Sequence, residues 1–228
     1  FRRGHGQILE HPVFAFLIEG GGRKILVDTG MSDTERSQKY HHDGRQEPGQ
    51  AIYEHMERLE IGLDEIEFII FTHLHWDHCA YMKQFTKARY FVSAREYQFA
   101  LNPIPFYAKS YEIPSLGIGC HWEGCHFNLI QDEEEIVEGV RAFQTPGHSP
   151  GHMAVAVQTE KGVYILAGDL FFLRENLQPD EESGWPFYPP GRFYNVLELW
   201  HSKEEVIRRG DYIMVTHDPS HFEQEVYP

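Results

Sequence analysis

Apolar residues fall along this chain in short blocks, and several blocks end abruptly in histidine or aspartate. Residues 66–71, Ile-Glu-Phe-Ile-Ile-Phe, read as a buried strand, and so do 153–157, 163–169 and 212–218. Residues 13–19 and 24–28, separated by Gly20-Gly21-Gly22, read as a hairpin. Residues 89–93 predict a further strand and 135–144 another, and the acidic run 132–135 reads as a solvated turn before it. Helical spacing is found in 50–61 through Ile52, Met56 and Leu59, and in 196–209 through Val196, Leu199, Trp200, Val206 and Ile207. A short helix is expected over 94–101. Strands and helices thus come in two successive sets. That pattern predicts an α/β fold, a four-layer αββα sandwich of two sheets face to face with helices outside. At 228 residues the natural expectation is a single domain over 1–228.

Two stretches fit no regular element. Residues 102–123 contain Pro103, Pro105, Pro114 and several aromatics, and residues 174–195 contain Trp185-Pro186-Phe187-Tyr188-Pro189-Pro190. Long loops in a compact domain are usually functional. Aromatic-rich ones cover apolar surface, so both are expected to wall a substrate pocket, with Trp185, Tyr188 and Tyr194 as candidate lining residues. A homodimer contact is the alternative use.

The strand ends carry the chemistry. Thr72-His73-Leu74-His75-Trp76-Asp77-His78 places three imidazoles and a carboxylate on a turn directly after the 66–71 strand. Four ligand-type side chains so close together exceed what one tetrahedral ion accepts without strain, which points to two ions. Imidazole with carboxylate favours zinc, with manganese, cobalt or iron as alternatives. Further candidates stand at the other strand ends: His148 in Thr145-Pro146-Gly147-His148-Ser149-Pro150-Gly151-His152, Asp169 after Ala167-Gly168, and His217 in Thr216-His217-Asp218. Singly, a strand-end aspartate is a turn or helix cap. Together, in this order, these residues form a pattern.

The order resembles the metallo-β-lactamase superfamily over residues 13–217, nearly the whole chain. The resemblance implies two metal ions: His73, His75 and His148 at the first, Asp77, His78 and His217 at the second, and Asp169 bridging both. It also matches Asp28-Thr29-Gly30 to an early turn of that superfamily, where Asp28 would fix a ligand imidazole through its other nitrogen. Locally, Asp28 reads equally as a turn aspartate after a strand. His75 stands where the oxygen-reducing flavodiiron branch has a carboxylate, which favours hydrolysis over redox work at iron. The segments His-Leu-His-Trp-Asp-His, Thr-Pro-Gly-His-Ser-Pro-Gly-His and Thr-His-Asp-Pro are most similar to those of N-acyl homoserine lactone lactonases. The implied activity is opening of a lactone ring by a hydroxide bridging two zinc ions, with Asp77 moving a proton and Asp169 joining the ions. One position departs. Those lactonases carry a tyrosine three residues after the bridging aspartate, whereas this chain has Phe172, which cannot donate a hydrogen bond. The departure keeps other esters open as substrates: a pyridoxolactone-type aromatic lactone, a thioester or a β-lactam. A non-catalytic metal-binding domain is the alternative from a different class.

Composition narrows the classes further. There are 35 acidic against 20 basic residues, a formal charge of −15. Enzymes that cut nucleic acid need a surface that attracts phosphate, and here the basic residues are dispersed, with Arg2-Arg3 and Arg208-Arg209 as isolated pairs. No nucleic-acid partner is expected. No apolar run approaches the roughly 20 residues of a membrane span. No charged-then-apolar leader stands at Phe1, so a secretory precursor is not expected, and the cysteines read as reduced thiols of a cytoplasmic protein. The three cysteines, Cys79, Cys120 and Cys125, lack the spacing of a disulfide framework. Cys120 and Cys125, beside His121 and His126, read as a loop thiol pair rather than a further metal site.

Overall fold

The computed structural model describes residues 6–228, which form two compact units: Val13–Gln131, and Asp132–Pro228 with the segment ending at Pro12. The Arg2-Arg3 pair lies outside the described residues.

The unit Val13–Gln131 is built on a five-stranded sheet in the order β1 (Phe16–Gly20), β2 (Arg23–Val27), β3 (Phe68–Ile70), β4 (Arg89–Ser93) and β5 (Phe127–Ile130). β1 and β2 are the expected antiparallel hairpin, and β2 through β5 run parallel. Parallel strands need apolar cover. Leu26, Ile69, Phe71 and Val92 find it in a core with Leu74, Phe85, Tyr111, Trp122 and Met56, the last from α2 (Ile52–Arg58). Parallel order also puts the carboxyl ends of β2, β3 and β4 on one edge, so Asp28, the 72–78 motif and Ser93 leave the sheet side by side. The Ser93 hydroxyl accepts from the amides of Arg95 and Glu96 and so starts α3 (Ala94–Leu101). The apolar pattern does not reveal β5 or α1 (Thr34–Tyr40), a mainly polar helix capped by Asp33.

The second unit has a sheet ordered β10 (Tyr212–Met214), β9 (Gly162–Leu166), β8 (Met153–Thr159), β7 (Val140–Gln144) and β6 (Glu133–Val137). Its pairs are antiparallel except β9 with β10, which is parallel. The structure corrects three sequence expectations here. The run 135–144 is not one strand but the hairpin β6–β7, turning where Gly139 adopts a φ of 80°. The acidic run 132–135 is therefore mostly strand, with Glu133 and Glu135 paired to Arg141 across the hairpin. β10 also stops at Met214, short of the expected 212–218.

α4 (Val196–Arg209) follows the predicted bounds, with the Asn195 side chain accepting from the amides of Leu197 and Glu198. Its Leu199 and Val206 pack with Phe143, Ile165, Leu170 and Phe171, and each such side chain contributes about 1.5–3 kcal/mol by burial. Arg208 and Arg209 pair with Glu205, and Arg209 also with Glu133, so these charges are met within the unit. Among the described residues no helix is long and apolar enough to cross a membrane.

Candidate metal centre

In the unit Val13–Gln131 the turn after β3 gathers three buried imidazoles. The His73 ring centroid lies 4.4 Å from that of His75 and 4.0 Å from that of His78. Asp28, at the end of β2, organises two of them. Its Oδ1 accepts from the Thr72 amide at 2.8 Å, and its Oδ2 accepts from the Thr72 hydroxyl and from His78 Nδ1, each at 2.8 Å. The Thr72 hydroxyl has a single proton and gives it to Asp28, so its oxygen is left to accept from His73 Nδ1 at 3.0 Å. Both rings thus carry their proton on Nδ1, which leaves each Nε2 lone pair for a metal.

Asp28 reaches this position with a φ of 61°, a left-handed conformation that aspartate tolerates better than most residues. The next residue, Thr29, donates its amide to the His78 carbonyl at 2.8 Å. From α3, buried Glu96 accepts from the Leu74 amide at 3.1 Å and from the Tyr111 hydroxyl at 2.8 Å, which fixes the backbone between His73 and His75.

Trp76 and half-buried Asp77 follow on the same turn. The Trp76 amide donates to Ser110 at 2.9 Å, and its ring stacks on His41 at 4.1 Å and 4°. His41 in turn meets the buried Glu112 carboxylate at 2.8 Å, which Arg36 grips with two nitrogens. Burial pushes the Glu112 carboxyl up, but the hydrogen bonds from His41 and Arg36 outweigh it and hold it below the usual range.

In the second unit β9 and β10 are parallel and β8 is antiparallel to β9, so one sheet edge collects the turn before β8 and those after β9 and β10. These turns carry His148, Asp169 and His217. Asp169 Oδ2 lies 3.2 Å from His148 Nε2, and its Oδ1 lies 3.0 Å from His217 Nε2. His217 Nδ1 donates to the Pro12 carbonyl at 2.8 Å, so its Nε2 presents a lone pair toward the carboxylate. Carboxylate oxygen against imidazole lone pair is repulsive unless a cation lies between them, either a second proton on the ring or a metal. At His217 the donor set would therefore suit a metal ion beside Asp169.

Neighbouring groups hold these residues in place. His152 Nε2 accepts from the Asp169 amide at 3.1 Å, while its Nδ1 faces the Thr145 hydroxyl at 2.8 Å and carbonyl at 3.1 Å. The turn bearing His148 presses on the start of α4. Gly147 has a φ of 139°, and a Cβ there would meet the Leu199 backbone at 2.3 Å, so only glycine fits. Ser202 donates to the Pro146 carbonyl at 2.7 Å, and the amides of Tyr194 and Asn195 donate to that of Gly147.

Of the expected pocket residues, Phe172 lies edge-on to His148 and His217, at centroid distances of 5.7 and 5.2 Å. The Trp185 ring meets Trp200 of α4 at 6.3 Å, Tyr188 is buried, and Tyr194 is partly exposed. Among the described residues, those falling in groups able to hold a metal are His73, His75, Asp77, His78, His148, Asp169 and His217. Cys120, Cys125, His121 and His126 are in none of these groups, and all three cysteines are free thiols. Sequence reasoning missed Thr72, Glu96, Glu112 and His152 as supports. Thr72 and His152 stand inside the quoted motifs, a signal that was available, whereas Glu96 and Glu112 resemble ordinary surface acids until the fold buries them.

Residues 8–221 match the family model described as Metallo-beta-lactamase superfamily. The chain belongs to the metallo-β-lactamase superfamily. One member, the N-acyl homoserine lactonase AiiA of Bacillus thuringiensis subsp. kurstaki, is 31% identical over 223 residues, spanning 93% of this chain and 84% of that protein. The N-acyl homoserine lactonase AttM of Azorhizobium caulinodans is 24% identical, spanning 95% and 86%. Among solved members, an N-acyl homoserine lactone hydrolase with the product N-hexanoyl-L-homoserine at its catalytic metal center aligns with a TM-score of 0.75 and 25% identity, over 97% of this chain and 87% of that one. The metallo-β-lactamase fold expected from the motifs is thus the fold of this chain, and its relatives include the lactonases that those motifs resemble.

Proposed function

We propose that His73, His75, Asp77, His78, His148, Asp169 and His217 form one dinuclear zinc centre, and that the protein is a hydrolase opening the ring of N-acyl homoserine lactones, with residues 1–228 acting as a single domain. The observation that carries this reading is Asp169, whose two oxygens each face an imidazole Nε2, at 3.0 and 3.2 Å, as a bridging carboxylate would. The N-acyl homoserine lactonases among its relatives supply the substrate class. Bound there, divalent zinc lowers the pKa of a water toward about 7 and polarises a carbonyl oxygen.

The chain's own groups do the rest. Asp28, Thr72 and the Pro12 carbonyl hold three imidazoles with Nδ1 protonated, which keeps the donor set rigid. When hydroxide adds to the lactone carbonyl and the ring C–O bond breaks, the leaving alkoxide takes a proton and a carboxylate remains. Asp77, half-buried on the motif turn, carries that proton in this reading. The alkoxide stays tethered to the acyl product, so the site need not expel a separate leaving group. Phe172, beside His148 and His217, forms an apolar wall; Trp185, Tyr188 and Tyr194 of the 174–195 loop are its proposed continuation. The three free thiols fit a reducing, cytoplasmic setting, and the charge of −15 disfavours nucleic acid as a substrate.

Proton release in weak buffer, measured with acyl homoserine lactones, pyridoxolactone, S-lactoylglutathione and nitrocefin, tests the assignment. Turnover of homoserine lactones above the others is expected, and inertness toward every chain length would refute it. Phe172 favours a second reading, an aromatic lactone, because its ring stacks and cannot donate to a carbonyl. Phe172→Tyr separates the two. Gain of homoserine lactone turnover would show that a hydroxyl improves an existing site, and turnover of the aromatic lactone alone in the parent would favour the second reading.

A further inference from the structure

Lys203 lies within α4 with no exposed surface, and the metal centre described above makes no direct use of it. Burying an ammonium is costly unless partners are fixed around it. Here they are. Its Nζ donates to the carbonyls of Asn176 at 2.9 Å and Tyr188 at 2.5 Å, and stands over the rings of Phe171 and Phe187 at 4.3 and 4.6 Å. Both carbonyls belong to the 174–195 stretch, that of Asn176 to a short 3-10 turn at Arg174–Leu177.

The contacts continue from there to the candidate ligands. The Asn176 side-chain oxygen accepts from the amides of Phe172 at 3.1 Å and Leu173 at 3.0 Å. The Phe172 carbonyl accepts from the His217 amide at 3.1 Å, and its ring abuts both His148 and His217. An unbroken path within one unit therefore runs from the helix to two imidazoles. A methionine would fill the same volume but hold neither carbonyl.

We propose that Lys203 is a positioning residue for the metal centre: by gripping the carbonyls of Asn176 and Tyr188 it fixes the Phe172 turn that seats His148 and His217. The inference rests on the proposed centre, and it adds a residue to which no role in the reaction had been given. Burial pushes Lys203 down to about 7, yet a neutral amine still has two protons for the same two carbonyls, so the grip survives deprotonation.

Amide hydrogen exchange and zinc affinity, by chelator competition, test this on the parent, Lys203→Met and Asn176→Ala. In Lys203→Met, exchange at Phe172, Leu173 and His217 should accelerate at least tenfold and zinc binding should weaken at least tenfold, while the β7 and β8 amides keep their protection. Unchanged exchange at His217, or acceleration spread equally over β7 and β8, would overturn the proposal. Should Lys203→Met fail to fold, Asn176→Ala at its half-buried position carries the same expectation at His217. Exchange does not depend on substrate. A parent inert toward lactones would count against the proposed function and leave this test intact.

Discussion

Asp28 combines two roles that substitution can separate. Its carboxylate, 3% exposed, accepts the Thr72 amide, the Thr72 hydroxyl and His78 Nδ1. A hydrogen bond to a charged acceptor contributes about 1.5–3 kcal/mol, and an orphaned buried donor costs about 1–3 kcal/mol. Asp28→Ala removes all three bonds, and partial replacement by water should leave a loss of about 3–5 kcal/mol. Asp28→Asn is gentler. Asparagine adopts a φ of 61° readily, and its oxygen still accepts from the Thr72 amide. Its NH2 group, however, would face the His78 and Thr72 donors, which drives the His78 proton to Nε2 and blocks that ligand. Asp28→Asn should therefore lose only about 1–2 kcal/mol of stability. Both variants should nonetheless bind zinc about 10–100-fold more weakly, the usual scale for such supporting partners. Urea denaturation measures the first quantity and competition with a chelator the second. Parent-like zinc affinity in Asp28→Asn would refute the tautomer argument and leave Asp28 a structural turn residue.

Three further outcomes are expected. Asp169→Asn removes the charge between His148 and His217, so activity should fall at least about a hundredfold and elemental analysis should find one metal lost; two retained metals with retained activity would contradict the bridge. Gly147→Ala forces a Cβ onto the Leu199 backbone at a φ of 139°, which should cost at least about 2 kcal/mol in thermal unfolding, and a parent-like melt would show that the turn yields. Folded Lys203 loses its proton near 7 and unfolded lysine near 10.5, so the unfolded chain binds more protons between those values. Stability of the parent relative to Lys203→Met should rise with pH across that window, and a flat difference in urea midpoints would contradict the depressed value.

Much of this architecture was legible because local signals and tertiary structure agree. β4, α3 and α4 fall on their expected bounds, since Ser93 and Asn195 are strong caps directly before periodic apolar positions. The β6–β7 hairpin was hidden because Glu138-Gly139 interrupts an otherwise strand-like run without the usual Asn-Gly or Asp-Gly signal. α1 was hidden because its seven residues are nearly all polar and bury only Ser37. The ligand-type residues stood out because they cluster at strand ends, where any sheet delivers side chains to one edge. Their supports did not. Glu96 sits in the first turn of a helix, where an acid is ordinary, and only the approach of Leu74 and Tyr111 gives it a task. Lys203 was equally silent, since a lysine in an amphipathic helix normally faces water, and it is the 174–195 loop that covers it.

The central claim is that two metals on these residues open a lactone ring, and a titration of metal-free protein with zinc tests it most directly. Bound zinc and the rate of proton release from an N-acyl homoserine lactone would be followed together. Activity is expected to climb until two equivalents are bound and then stay level. A protein that binds fewer than two equivalents, or binds two and leaves the lactone intact, would contradict the claim.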